Sequence, residues 1–254
     1  MFKSVVCAVL LCCCSAANAA GELRLYTEDN RPYGFLEAGK LDGMTVQVVK
    51  ELVRRSGQPA QIELVPWTRG YHQVQREADA ALFPVVRTPE REALFQWVGP
   101  IVVGRTGFYS RRADNIRVHN LDDVRRLGTL AVPKQWYIHE QLLMLGMDNL
   151  HGVSKPSDMV RLFHHGRVKL IVANDLILEA LLAGEGMSVD QVQWQFDLMP
   201  NASYIAFSKA APPERVARWR QLLAGMRADG SLERLYRQWF PHADEAHVAA
   251  LLHE

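Results

Sequence analysis

Two arginines lie four residues apart in Arg87-Thr88-Pro89-Glu90-Arg91-Glu92. A guanidinium presents five N–H donors in a rigid planar fork, which matches both oxygens of a carboxylate. The same six residues read as a helix start, with Thr88 at the N-cap, Pro89 at the first helical position and acids in the first turn. Leu82-Phe83 and Val85-Val86, on either side of Pro84, read as the end of a buried strand. A strand that runs into a helix start brings backbone N–H groups and both arginines to one mouth. That is a place to hold an anion, most simply a carboxylate. The competing use of Arg87 and Arg91 is surface pairing with Glu90 and Glu92, worth about 0–1 kcal/mol.

An anion held away from water also needs walls. Tyr33, Trp67 and Phe83 are the aromatic candidates, and core packing is the alternative for each. Arg69 follows Trp67 by two residues. On an extended turn both side chains face one side, which offers Arg69 as a second anion contact, with a solvated surface arginine as the alternative.

Around these residues the chain alternates strand and helix patterns. Glu22 to Tyr26 alternates polar and apolar as a strand does, and Thr45 to Ser56 places Val46, Val49, Leu52 and Val53 on one helical face. Strand patterns over Gln61 to Val65 and Ala78 to Leu82 enclose a helix pattern over Gly70 to Glu77. Strand, helix, strand, helix, strand is the order of an α/β unit with a largely parallel sheet.

Composition sets limits. The chain has 254 residues, 48% hydrophobic and 22% charged, enough for one large domain or two small ones. Residues 1–19 read as a secretory signal, with Lys3, an apolar run from Val5 to Cys14 and Ala17-Asn18-Ala19 as the cleavage site. All four cysteines, Cys7, Cys12, Cys13 and Cys14, fall inside it, so no disulfide or thiol chemistry is expected in the mature chain. Of 29 basic residues, Lys3 leaves with the signal, so 28 face 28 acidic ones. That balance argues against a nucleic-acid or membrane-surface partner. The nine histidines are scattered except His164-His165, which point to different helix faces, so no metal site is expected. No phosphate-binding glycine loop or nucleophile motif is present, and neither a cofactor nor an enzyme activity is expected.

The segments, in this order, resemble the periplasmic solute-binding protein family 3, the amino-acid-binding type of two-lobed receptor. Thr88-Pro89-Glu90-Arg91, then Phe95 and Gly99-Pro100, resembles the family's T-x-E-R…F…P segment, whose arginine grips the ligand carboxylate. Pro32-Tyr33 resembles its cleft loop, Pro66-Trp67-Thr68-Arg69 a segment found in one branch, and Gly166 to Asp175 its G-R-x-D-A-x-x-x-D strand. Tyr204 to Lys209 resembles the returning hinge strand, and Tyr236 to Phe240 the Y-x-K-W-F ending.

The resemblance implies an α/β fold of periplasmic binding protein type II: two lobes joined by two hinge strands. Lobe one takes 21–108 and 206–240, lobe two takes 109–205, and 241–254 is a tail without an assigned role. It also implies a periplasmic monomer that captures an amino acid or related carboxylate and delivers it to an inner-membrane ABC permease. A sensory receptor and a dehydratase-like enzyme on the same fold are the alternatives, and Glu28 is the acid that the resemblance places near the cleft. In lobe two, Trp136 and Tyr137 stand where the family uses a small hydroxyl residue. Asn174 stands where its aspartate binds the ligand ammonium, with Asp175 one residue on. Phe83, Pro84 and Val86 replace hydroxyl residues before the arginine. With fewer hydroxyls and more aromatic surface, an aromatic, cyclic or substituted carboxylate fits this wall as well as an ordinary α-amino acid does.

Overall fold

The computed structural model describes residues 21–134 and 136–253; the expected signal, 1–19, lies outside the described residues. The first strand, β1 (Leu23–Thr27), buries four of its five residues. A hairpin of β2 (Phe35–Glu37) and β3 (Lys40–Asp42) follows and leads into α1 (Met44–Ser56). Gly43 makes that entry possible. Its φ is 128°, and a Cβ there would lie 2.4 Å from the carbonyl oxygen of Tyr33. The loop that carries Tyr33 can therefore press against the helix start. Of the expected stripe on α1, Val46, Val49 and Leu52 are buried and Val53 is half-buried, with Val48 buried beside them.

β4 (Ala60–Leu64) and β5 (Ala80–Val86) pair in parallel with β1 on either side. Between them, α2 (Trp67–Arg76) begins at Trp67, three residues earlier than expected. One turn of helix, α3 (Pro89–Glu92), precedes β6 (Phe95–Arg111), a strand of 17 residues. Thr88 holds the N-cap position, but its hydroxyl makes no cap bond and is buried without a partner among the described residues.

Beyond the midpoint of β6 the chain builds a second core. Its elements are α4 (Leu121–Arg126), β7 (Leu130–Pro133), α5 (Tyr137–Met144), β8 (Leu150–Val153), α6 (Pro156–His164), β9 (Leu170–Asn174) and α7 (Asp175–Ala183). β7 and β8 pair in parallel, and β9 runs antiparallel to the second half of β6. The return strand β10 (Val192–Ser208) is also 17 residues long and pairs antiparallel with β6 from Arg111 back to Phe95.

One sheet therefore runs through both halves in the order β4-β1-β5-β10-β6-β9. Val102 and Val103 of β6 pack into the first core, whereas Phe108 and Tyr109 pack into the second. Two strands that cross together and then bury their ends in different cores form a double hinge.

After β10 the chain returns to the first lobe as α8 (Pro213–Ala228), α9 (Ser231–Trp239) and α10 (Glu245–Leu252). The tail is helical, and Val248 and Leu251 of α10 are buried in the first core. No helix among the described residues is long and apolar enough to cross a membrane.

Candidate functional site

Between the lobes lies a cavity of about 490 Å³ counted out to its mouth, of which the centre of a water molecule can reach about 50 Å³. The first lobe contributes Glu28, Asn30 and Tyr33 from the loop after β1, Trp67 from α2, Pro84 and Val86 from β5, and Arg91 from α3. Trp136, Tyr137, Asn174 and Ile177 come from the second lobe, and Asn201 and Ser203 from β10.

Arg91 is 2% exposed. Its guanidinium carbon stands 5.4 Å from the ring centre of Trp67 and 5.5 Å from that of Tyr71. Nη2 donates to Glu140 Oε2 of α5 at 2.9 Å, across the cleft, and Nε is buried without a partner among the described residues. Beside it, Gln141 Nε2 donates to Glu90 Oε2 at 3.3 Å, so the lobes touch at this rim. α3 is a single turn and offers no helix-terminus site. What this stretch brings to the cavity is the Arg91 side chain.

The opposite wall is neutral. Asn174 ends β9 and caps α7, accepting on Oδ1 from the Leu176 N–H at 2.9 Å. The same oxygen accepts from the Tyr33 hydroxyl at 3.0 Å, a second bond across the cleft. Nδ2 is buried with no partner among the described residues.

Tyr137 opens α5, and its hydroxyl lies 2.7 Å from Thr106 Oγ1 of β6 and accepts from Asn201 Nδ2 of β10. Ser203 Oγ donates to Asn201 Oδ1 at 3.3 Å. One phenol thus ties the second lobe to both hinge strands. Burial pushes it up to about 12, against the pull of Thr106 and Asn201, so it stays a neutral hydroxyl at neutral pH.

Glu28 is half-buried. Burial first, then the nearby Asp29, raise its carboxyl to about 7, against the opposing pull of Arg91. At neutral pH it exists as a mixture of acid and carboxylate.

Seven residues singled out from sequence thus meet at one cavity: Glu28, Tyr33, Trp67, Arg91, Trp136, Tyr137 and Asn174. Four others do not line it. Arg87 is exposed and forms a two-point pair with Glu92 at 2.7 Å, over the rings of Trp97 and Tyr204 on another face. Arg69 is exposed because Pro66-Trp67-Thr68-Arg69 starts a helix rather than an extended turn. Two helical residues stand about 200° apart, so Arg69 faces away from Trp67.

Phe83 is fully buried in the first core, leaving Pro84 and Val86 of β5 to face the cavity. Asp175, the first residue of α7, turns outward. Its Oδ1 accepts from the Arg105 N–H at 3.0 Å, and its Oδ2 lies 3.8 Å from His247 Nδ1. It does not stand in for a carboxylate at Asn174.

Asn201 and Ser203 carry no sequence expectation because the resemblance marks the return strand only from Tyr204 onwards. Their signal is two polar residues at a spacing of two inside an otherwise apolar run, which puts both on one face. Among the described residues no three His, Cys, Asp or Glu side chains converge as metal ligands.

The arrangement has relatives. A histidine kinase sensor domain with similarity to periplasmic binding proteins superimposes with a TM-score of 0.77 at 19% identity, covering 86% of this chain and 95% of that one. A mutant of ArgBP from T. maritima gives 0.75 at 18% identity, over 87% and 96%. A putative ABC-transporter binding component from Wolinella succinogenes, complexed with lysine, also gives 0.75 at 18%, over 87% and 96%. These likenesses establish the fold, that of the type II periplasmic binding proteins. No curated protein sequence matches the chain. Residues 23–242, which span both lobes and the double hinge, match a single family along their length, and the chain belongs to the bacterial extracellular solute-binding proteins, family 3.

Proposed function

We propose that this chain is a periplasmic, monomeric receptor that takes a small carboxylate-bearing ligand into the interlobe cavity and delivers it to an inner-membrane ABC importer. The observation that carries the reading is Arg91. Taking a guanidinium out of water costs several kcal/mol unless an anion and hydrogen bonds compensate. Among the described residues Arg91 has one rim carboxylate on Nη2 and no partner on Nε. A ligand carboxylate in the cavity supplies the missing acceptor, with Trp67 and Trp136 as walls. A ligand that touches both lobes favours the arrangement in which they meet, and a partner then recognises that arrangement. Glu28 is the only acid among the described lining residues, which supports binding rather than bond cleavage by a carboxylate pair.

A sensory role is the second reading, supported by the likeness to a histidine kinase sensor domain. Lobe closure would then report ligand instead of presenting it for transport.

The test is a thermal-melt screen of residues 20–254 against amino acids, their derivatives, small carboxylates and polyamines. A ligand at 100 times its dissociation constant adds about 2.7 kcal/mol. That is a rise of about 5–10 °C for a chain of this size. Stabilisation by carboxylates supports the reading, and a melt unmoved by every carboxylate overturns it.

A further inference from the structure

The polar atoms of the cavity are unequally engaged. Asn174 Oδ1 already accepts two hydrogen bonds, from the Tyr33 hydroxyl and from the Leu176 N–H. The Leu176 bond fixes the amide orientation, because a backbone N–H needs an oxygen opposite it. Asn201 Oδ1 accepts from Ser203. Two cavity residues, each at most 3% exposed, keep a buried polar atom without a partner among the described residues: Arg91 Nε and Asn174 Nδ2. Both atoms are donors, one from each lobe. A buried donor left unpaired costs about 1–3 kcal/mol, so the group that relieves it must bring acceptors.

An ammonium brings only donors. Its one ionisable acceptor here would be Glu28, a carboxyl that burial already pushes towards its neutral form. Asn30, the remaining side-chain amide of the wall, is uncharged. The space that a water centre can reach is only about 50 Å³, so the ligand is small unless the lobes part.

Resting on the solute-binding reading above, we infer that the ligand is a short carboxylic acid with a second acceptor oxygen, a keto, hydroxyl or carboxylate group, and no ammonium. Its carboxylate meets Arg91 and its second oxygen meets Asn174 Nδ2. Asn174, whose amide orientation Tyr33 and Leu176 fix, is the residue that selects oxygen over nitrogen at that position.

Matched pairs test this: pyruvate against alanine, 2-oxoglutarate against glutamate, and malate against aspartate, each titrated calorimetrically into the wild-type protein and Asn174→Asp. Aspartate caps a helix as well as asparagine does, so the variant keeps the α7 start. The oxygen-bearing member of at least one pair should bind at least tenfold tighter to the wild type. Asn174→Asp should cut that preference at least tenfold.

Proton exchange gives a second readout, by repeating the titrations near pH 7 in buffers of different ionisation enthalpy. An acid without an ammonium adds negative charge near Glu28 and should drive proton uptake. An ammonium beside Glu28 would drive release. Tighter binding of the amino acids, with proton release, overturns the inference and leaves the solute-binding reading standing. No binding of any carboxylate, in these pairs or in the melt screen, overturns both.

Discussion

The two faces of the cleft are built from similar elements, a strand delivering the chain to a helix start, yet they present different chemistry. The first lobe brings the ionisable groups, Arg91 and Glu28, with Trp67 beside them. The second lobe brings Trp136, Tyr137 and Asn174, all uncharged; of its nearby carboxylates, Glu140 stands at the rim with a side chain 40% exposed and Asp175 is engaged by the Arg105 N–H and lies near His247. On the proposed function, charge is recognised by one lobe and direction by the other. A carboxylate gains most of its electrostatic stabilisation at Arg91, whereas the hydrogen bonds of Asn174 and Tyr137 are geometrically demanding and depend on how the lobes meet. The difference separates capture from closure.

The contrast is open to attack at both faces. The largest effect is expected from Arg91→Ala, which should weaken carboxylate binding at least tenfold by calorimetry. Charge-assisted hydrogen bonds are worth about 1.5–3 kcal/mol each, so the loss of two could reach a hundredfold or more. Unchanged affinity would take Arg91, and with it the division of labour between the lobes, out of the site.

Tyr137→Phe attacks the neutral face. It leaves Asn201 Nδ2 and Thr106 Oγ1 without their shared partner and should lower unfolding stability in urea by about 1–3 kcal/mol. Because Tyr137 carries no charge, ligand affinity should fall less than in Arg91→Ala. An equal fall would mean that the two faces are not specialised.

The smallest effect is expected from Arg87→Ala. Its partner Glu92 is half exposed, and such pairs contribute about 0–1 kcal/mol. Urea midpoint and ligand affinity should stay close to wild type, within about twofold for the affinity. A loss comparable to that of Arg91→Ala would show that the outer face of the motif also takes part.

Those two arginines also mark how far the sequence could be read. They share one six-residue motif, and types and spacing made both candidates for holding an anion, with surface pairing to Glu90 and Glu92 as the competing use. Which one is buried depends on where β5 ends and α3 turns. That turn sends Arg91 under Trp67 and Tyr71 and leaves Arg87 beside Glu92. Arg69 was misplaced for a local reason: its segment reads as an extended turn but begins α2, so the period changes from two to 3.6 residues and the side chain changes face. Phe83 and Asp175 illustrate the same limit at single-residue resolution, since each neighbours a cavity residue and points elsewhere.

Local patterns, by contrast, carried the architecture. Hydrophobic periodicity defines the first helix, the alternation of strand and helix patterns gives the order of the first lobe, and the ordered motifs, Tyr204 to Lys209 of the return strand among them, identify the family. These features are set by neighbours along the chain, whose spacing is written in the sequence. The polar economy of the cavity is not. That Asn174 turns its oxygen to Tyr33, 141 residues away, and keeps a donor unpaired among the described residues follows from contacts between segments that only folding brings together. A side chain's type lists its donors and acceptors; its tertiary neighbours determine which of them remain free.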